Sequence, residues 1–450
     1  MEQFQLNDEL IMKIAGLISA KKNSNLKKLV KDIHFADMAD VINLLSENQG
    51  IYLIKLFDSE KTSEILTELD EVTREKILEN LSAKEIANEV GEMDSDDAAD
   101  IIGELSEERQ IRVINALDDL ELAADIKELL SYEDNTAGAL MAKELVKVYE
   151  TWTVAGCMRR IRGQAKEVTR VHSIYVVDKE DKLVGRLSLK DLIIAKSDQQ
   201  IADISKATVD AVNVYENDYE VARIMAKYDL EAIPVVNDQN VLLGRITIDD
   251  IVDVLKEEAE KDYQMAAGLT QDVDSDDSIL ELTKARLPWL FLGLLGGVGA
   301  FLIMGLFENT FEENAILFFF TPLIAAMAGN VGVQSSAIIV QGLANDDIKG
   351  SIYRRLLKEM LLAALNGFVL ALFLFFFVWA YEGKLTTALA ISASLVVVII
   401  VAGLIGTFVP LFLNKRGIDP AIATGPFITT SNDIFGILIY FMIAKVILGI

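Results

Sequence analysis

Residues 420–447 read PAIATGPFITTSNDIFGILIYFMIAKVI, an apolar run with one carboxylate, Asp433, near its middle. A run of this length can cross the ~30 Å of hydrocarbon in a bilayer. A carboxylate at that depth costs at least ~2–3 kcal/mol, so Asp433 is expected to face a bundle interior or a water-filled path. An acidic residue in a pore points to a cation.

Working outward, four more apolar stretches precede it, at 288–306, 315–344, 360–381 and 385–413, which predicts five spans. Lys284, Arg286, Lys349, Arg354, Arg355, Lys358, Lys415 and Arg416 fall in alternate connections, whereas the opposite side carries Lys384 and, near the end, Lys445. This positive-inside bias puts the N-terminal region in the cytoplasm and the C-terminus outside. The chain starts MEQFQLNDEL, without the basic-then-apolar pattern of a signal peptide, which agrees with a cytoplasmic start.

Charge separates two regions. Residues 288–450 contain 9 acidic and 8 basic side chains, which leaves 60 of the 69 acidic and 34 of the 42 basic residues before them. So acidic a region disfavours nucleic acid and an anionic membrane surface, and favours cations. The single Cys157 rules out an internal disulfide, and with His34 and His172 as the only histidines, tight Zn²⁺ or Cu²⁺ coordination is not expected. No nucleophile–base pair, phosphate loop or metal triad argues for an enzyme.

The acidic region begins with a repeat. Asp58, Asp70, Ser82, Asp94, Ser106 and Asp118 recur every 12 residues as helix N-caps, each after an apolar residue, with Leu66, Leu78, Val90, Ile102, Ile114 and Ile126 eight positions later. Short stacked helices from about 36 to 130 are predicted, a scaffold and not an enzyme pocket. The run Asp94, Asp96, Asp97 and Asp100 is open to two readings, capping alone or metal contact.

A second repeat has an offset of 59. Tyr175-Val-Val-Asp178 returns as Pro234-Val-Val-Asn237, and Gly185-Arg-Leu-Ser-Leu-Lys-Asp191 as Gly244-Arg-Ile-Thr-Ile-Asp-Asp250. Each copy predicts strand, polar turn, strand and acid-capped helix. It resembles a tandem pair of CBS domains, a resemblance implying that Ser188 with Asp191, or Thr247 with Asp250, can hold the ribose and phosphate of an adenine nucleotide such as ATP. Capping of the following helices is the alternative. The run from Asp249 to Asp262 then predicts a connecting helix with crowded carboxylates, followed by a polar acidic stretch, Gln271 to Ser278. Hard cations such as Mg²⁺ and Ca²⁺ take such oxygen ligands, often through water.

The whole order resembles the MgtE-type magnesium channels and transporters. The motifs that carry it are Arg286-Leu-Pro-Trp-Leu290, Ala328-Gly-Asn-Val-Gly-Val-Gln-Ser335 and Asp419-Pro-Ala-Ile-Ala-Thr-Gly-Pro-Phe-Ile-Thr-Thr-Ser-Asn-Asp433. The implied fold class is a multidomain α-helical membrane protein: a helical-repeat N domain (1–132), an α/β tandem CBS pair (133–199 and 200–253), an acidic connecting helix (254–278) and a five-helix transmembrane domain (279–450). The resemblance implies a homodimer in the cell membrane, with hydrated Mg²⁺ passing at the subunit interface and Asp433 of both chains facing it, closed when internal Mg²⁺ is high. Asn330, Thr429, Thr430 and the backbone at Gly425 join Asp433 as pore candidates, with Gln334 and Thr424 as further neutral oxygens and Gly329, Gly332 and Pro426 permitting breaks. The carried-over sensor set is Asp94, Glu216, Asp218, Asp249, Asp250, Asp253, Glu257, Glu258, Asp262 and Asp419. Lys256 and Lys261 interleave it, and Glu260-Lys-Asp262 departs from the expected Thr-Glu-Asp. Glu308, Glu312 and Glu313 fall on an outer loop that gathers cations or is simply solvated. Alternatives are an ion-coupled transporter or exporter of Co²⁺ or Ca²⁺ and, with less support from a lone Asp, a nucleotide-gated anion channel.

Overall fold

Helices of eight to ten residues are marginal alone, and the N-terminal part of the chain stabilises them by stacking. The computed structural model describes residues 6–164, 168, 170–207, 209–271, 273, 277–309, 314–344, 348, 350–423 and 425–449. Thr424, Glu312, Glu313, Lys349 and, in the acidic stretch, Asp272, Asp274, Ser275 and Asp276 lie outside the described residues. The chain divides into two units, Met1–Leu255 and Lys256–Ile450.

In the first unit α1 (Asp8–Ser19), α2 (Asn23–Val30), α3 (Phe35–Asn43), α4 (Glu47–Ile54), α5 (Ser59–Glu68), α6 (Glu71–Glu79), α7 (Ala83–Val90), α8 (Ser95–Gly103), α9 (Glu107–Ile114) and α10 (Leu120–Leu129) follow in turn. From α3 onward they pack in an alternating pattern, α3 on α5, α4 on α6, α5 on α7, α7 on α9 and α8 on α10. The residues eight places after each predicted cap, Leu66 through Ile126, are all buried in one core. Asp58 and Asp70 accept from the third backbone N–H of their helices, and Ser82 forms a reciprocal capping box with Glu85.

Two details depart from the sequence reading. The last cap is Asp119 and not Asp118: α9 ends at Ile114, the connection before α10 runs one residue longer, and Asp119 accepts from Glu121 N and Leu122 N. The 12-residue spacing also continues upstream, where Ser46, His34 and Lys22 occupy the cap positions of α4, α3 and α2. His and Lys are not preferred caps, which is why the pattern was not visible before residue 36.

The unit continues through α11 (Ala137–Leu140), β1 (Val146–Tyr149), α12 (Val154–Gln164), β2 (Ile174–Val177), β3 (Leu183–Leu187), α13 (Leu189–Ile194), α14 (Ile201–Ile204), β4 (Val212–Asn213), α15 (Asp218–Tyr228), β5 (Ala232–Val236) and β6 (Leu242–Thr247). Each copy is a three-stranded sheet, β1 parallel to β2 and β2 antiparallel to β3, repeated as β4-β5-β6. The repeat extends to irregularities. The register shifts at Val176/Val177 and at Val235/Val236, and the turns place Asp181 and Asn240 at φ 57° and 62°. The two hairpins meet through Leu183 N to Asn240 O and Leu242 N to Asp181 O, so the copies form one body.

α16 (Ile248–Ala267) leaves β6 directly. In the second unit, among the described residues, α17 (Ile279–Phe307), α18 with α19 (Ile316–Phe319 and Thr321–Ala344), α20 (Ile352–Glu382), α21 (Leu385–Lys415) and α22 (Gly425–Leu448) supply five helices, or helix pairs, long and apolar enough to cross a membrane. The fifth apolar stretch begins as a 3₁₀ turn, Pro420–Ala423, and becomes α-helical at Gly425.

Because Ile102 is fully buried and Ile111 is largely exposed, Ile102→Ala should lower stability by about 2–5 kcal/mol, whereas Ile111→Ala should change it by less than about 0.5 kcal/mol. Denaturant unfolding of the full chain in detergent, followed by circular dichroism, checks the contrast.

Candidate metal sites and ion path

Two regions gather the candidate residues, one in each unit. In the first, the N-terminal turn of α8 meets the start of α16. Asp94 is the N-cap residue of α8, yet its carboxylate makes no capping bond; Asp94 Oδ2 lies 3.7 Å from Arg245 Nη2. The cap's work passes elsewhere: Glu144 Oε2 accepts from Ser95 N at 3.2 Å and from Ser95 Oγ at 2.8 Å, and Lys143 N donates to Ser95 Oγ at 2.8 Å. That network joins the helical repeat to the second sheet, and Arg245, itself buried, donates to Glu144 O.

Carboxylates outnumber cations here. Burial raises the pKa of Asp96 well above the ordinary value, with Asp250 and Asp97 adding to it. Burial, then Asp250 and Asp94, lift Asp97 to about 6. Burial, then Asp97, lift Asp100 to about 7, against the opposing pull of Arg74. Asp94 is raised by burial and Glu144, and Asp250 by burial although Thr247 N and Oγ1 both donate to its Oδ2, at 2.8 and 2.7 Å. Asp97 and Asp100 keep exposed surface, where water and salt soften the repulsion.

The sensor candidates therefore sort by place. Asp94, Asp249 and Asp250 act on one another's side of this cluster. Asp253 and Glu257 lie exposed along α16. Glu216 and Asp218 flank Asn217, the N-cap of α15, tied to the 135–137 segment by Ala137 N to Glu216 O and Asp218 N to Asn135 O, and are not among the main charges on Asp94 or Asp250. In the second unit burial raises the pKa of Asp262, with Asp419 and then Glu258 adding to it; Glu258 also pairs with Lys261 at 3.6 Å, and Asp419 Oδ1 accepts from Ala421 N. Among the described residues no three His, Cys, Asp or Glu side chains converge as a ready-made metal site. The nucleotide candidates are bonded within each pair: Ser188 Oγ donates to Asp191 Oδ2 at 2.6 Å, as Thr247 does to Asp250.

The ion-path candidates lie on α19 and α22. Gly329 on α19 runs beside Thr429 and Asp433 of α22: a Cβ added there would stand 3.1 Å from Thr429 Cγ2 and 3.7 Å from Asp433 Oδ1. Asp433 is half-buried, and Asn330 and Gln334, four residues apart and so on one side of α19, are exposed. Thr429 Oγ1 donates to Gly425 O at 2.9 Å. Thr430 packs against Gly296 of α17. Gly425 has φ 47°, and a side chain there would collide with Ala266 O at the end of α16. Asn432, which the sequence reading passed over, is fully buried against Gly332. Its place one residue before Asp433 is the signal that pointed to it.

Comparison with known proteins gives consistent matches. Family profiles described as "MgtE intracellular N domain", "CBS domain" and "Divalent cation transporter" match residues 33–135, 137–198 with 201–257, and 321–443. The chain is similar to a magnesium transporter MgtE of Bacillus subtilis, at 30% identity over 99% of this chain and 98% of that protein. It is similar to one of Enterococcus faecalis, at 40% identity over 71% of each. A solved cytosolic domain of the Mg²⁺ channel MgtE in complex with ATP matches at 30% identity and TM-score 0.51, over 54% of this chain and 99% of that one.

Because Asp97 and Asp100 bind protons more readily in the folded chain than in the unfolded one, the folded state holds more protons between pH ~4 and ~7, and stability falls as pH rises through that window. Asp97→Asn with Asp100→Asn should therefore raise the unfolding temperature at pH 8 and lose that advantage at pH 5. Thermal melts of both chains at the two pH values check this.

Proposed function

The chain belongs to the MgtE family of divalent cation transporters, a multi-pass membrane transporter and not an enzyme, and from that premise we propose that it conducts Mg²⁺ through a pore at the interface of a homodimer. The observation that carries this reading is the exposed polar pair Asn330 and Gln334, mid-helix on α19, with Gly329 beside the half-buried Asp433 of α22; the other exposed polar side chains described on these two helices, Gln341 and Lys445, fall in their last turns. Polar side chains facing lipid are costly, so this pair belongs against water or a second copy. Mg²⁺ dehydrates reluctantly, and a path that passes it hydrated needs charge and neutral oxygens at water's distance, not a tight ligand cage. Asp433 supplies the charge; Asn330, Thr429, Thr430 and the backbone at Gly425 supply the neutral groups. The bias of Lys and Arg supports a cytoplasmic N-terminus and a C-terminus outside.

Internal Mg²⁺ closes this path. Asp94, Asp96, Asp97, Asp100, Asp249 and Asp250 repel one another in the first unit, and Asp262, Glu258 and Asp419 do so in the second. Hydrated Mg²⁺ bridging such groups favours whichever arrangement brings them closer, by its differential affinity for it. Asp253 and Glu257, along the same helix, together with Glu216 and Asp218, extend the acidic surface. α16 carries acids of both clusters, so bridging at either end biases the same helix. The hydroxyl–carboxylate pairs of Ser188 with Asp191 and Thr247 with Asp250 are the adenine nucleotide candidates, a reading supported by the related domain described in complex with ATP.

Asp433→Asn, reconstituted in liposomes, should cut Mg²⁺ influx by about tenfold or more, or ~1.4 kcal/mol of barrier, while the protein assembles normally; wild-type flux would remove Asp433 from the path. Influx that follows an imposed pH gradient would instead favour the coupled transporter. Neutralising Asp249, Asp250, Asp253 and Glu257 together should weaken Mg²⁺-dependent protease protection of residues 254–278 and the inhibition of flux, both titrated at fixed ionic strength. An unchanged midpoint would show that these acids are not the sensor.

A further inference from the structure

The membrane unit holds a second carboxylate that the proposed ion path does not use. Glu359 lies on α20, immediately before the apolar run Met360–Leu365. At the end of a span, after Arg354, Arg355 and Lys358, a glutamate ordinarily turns out to the headgroups. This one does not: it is half-buried, and its Oε1 accepts from Ser335 Oγ of α19 at 2.6 Å. Ser335 is 5% exposed. The third helix at this point, α21, offers Gly403, where an added Cβ would stand 3.0 Å from the same Oε1 and 3.4 Å from Ala363 Cβ. α21 thus gives up a side chain where the carboxylate sits.

We propose that Glu359 is a positioning residue for transport, holding α19 through Ser335 so that Gly329 stays beside Asp433. Ser335 is six residues beyond Gly329 on one continuous helix, and Gly332 between them is pressed on Asn432 and Ile428 of α22, with its carbonyl against Gly406 of α21. A helix packed through glycines has little side-chain relief to fix its rotation. The bond from Ser335 to a carboxylate in a low-dielectric setting supplies that fix, because both its length and its direction are constrained. Glu359 acts on the ion through α19, not by touching it. The inference rests on the reading of Asp433 as the pore carboxylate.

The test measures Mg²⁺ influx into liposomes per mole of folded protein, against Mg²⁺ concentration, for Ser335→Ala, Glu359→Ala, Glu359→Gln and the double alanine variant, with Asp433→Asn alongside. Each alanine variant should lower maximal flux by about tenfold, the worth of one hydrogen bond to a charged group, with the half-saturating concentration unchanged. The amide oxygen of Glu359→Gln accepts the same bond and should keep flux within about twofold of wild type. The double variant should be no worse than either single one, since both remove one interaction. Wild-type flux in both single alanine variants overturns the proposal, as does a double variant whose loss is the product of the two. Glu359→Gln failing like Glu359→Ala, with a raised half-saturating concentration, overturns it in favour of direct contact with the ion. If Glu359→Ala does not assemble, Ser335→Ala and Glu359→Gln decide by the same criteria. Full flux in Asp433→Asn would remove the pore reading instead, whereas a silent Asp433→Asn beside active alanine variants removes this inference alone.

Discussion

Close approach of α22 to its neighbours is the constraint on which the membrane unit depends. Lipid tails are as apolar as leucine, so helices in a bilayer associate by contact and hydrogen bonding and not by the hydrophobic effect. Here glycines make that contact. Gly296 and Gly299 of α17 receive Thr430 and Ile434, Gly329 and Gly332 of α19 receive Thr429 and Asn432, and Gly436 of α22 lies against Ala328 and Val398. A methyl group at Gly332 would overlap Asn432 outright. The buried Tyr440 hydroxyl donates to Leu317 O at 2.9 Å, fixing the same helix further along. α22, and Asp433 with it, is thus held by packing against α17, α19 and α21.

The first unit is organised by the opposite circumstance, charges brought together without enough partners. Its largest apolar core runs from Ile14 through the helical repeat to Ile246 and Ile251, while the first sheet packs on a core of its own. Such a core tolerates a local electrostatic penalty at its edge, because the cost of crowding a few carboxylates is small beside the burial that holds the surrounding helices. Arg245, buried and close to Asp94, offsets part of it, and Asp250 is stabilised by Thr247. The remaining repulsion is what a divalent cation can relieve.

Much of this was legible in the chain alone. The 12-residue spacing, the 59-residue offset and the five apolar stretches each follow from a period, and a period survives in sequence because every unit meets the same packing problem. Asp433 was legible for a different reason: a charge in an apolar run is an exception that needs an explanation. The cap at Asp119 was not legible, since two adjacent aspartates suit the position equally and the length of the preceding connection decides between them. Nor were the caps at His34 and Lys22, whose residue types say nothing about capping.

Tertiary structure alone decided which acids share a field and which helices share a carboxylate. Asp94 falls in sequence at a cap position open to capping or metal contact, and in the fold Glu144, distant along the chain, accepts the hydrogen bonds of Ser95 while Asp94 lies near Arg245. Glu359 reads as the last charge before a span, yet Ser335 and Gly403, on two other helices, draw it inward. Local pattern determines what each helix is, because propensity and periodicity act over a few residues. Which side chains meet is determined by distances between segments far apart in the chain, and no short-range pattern encodes those.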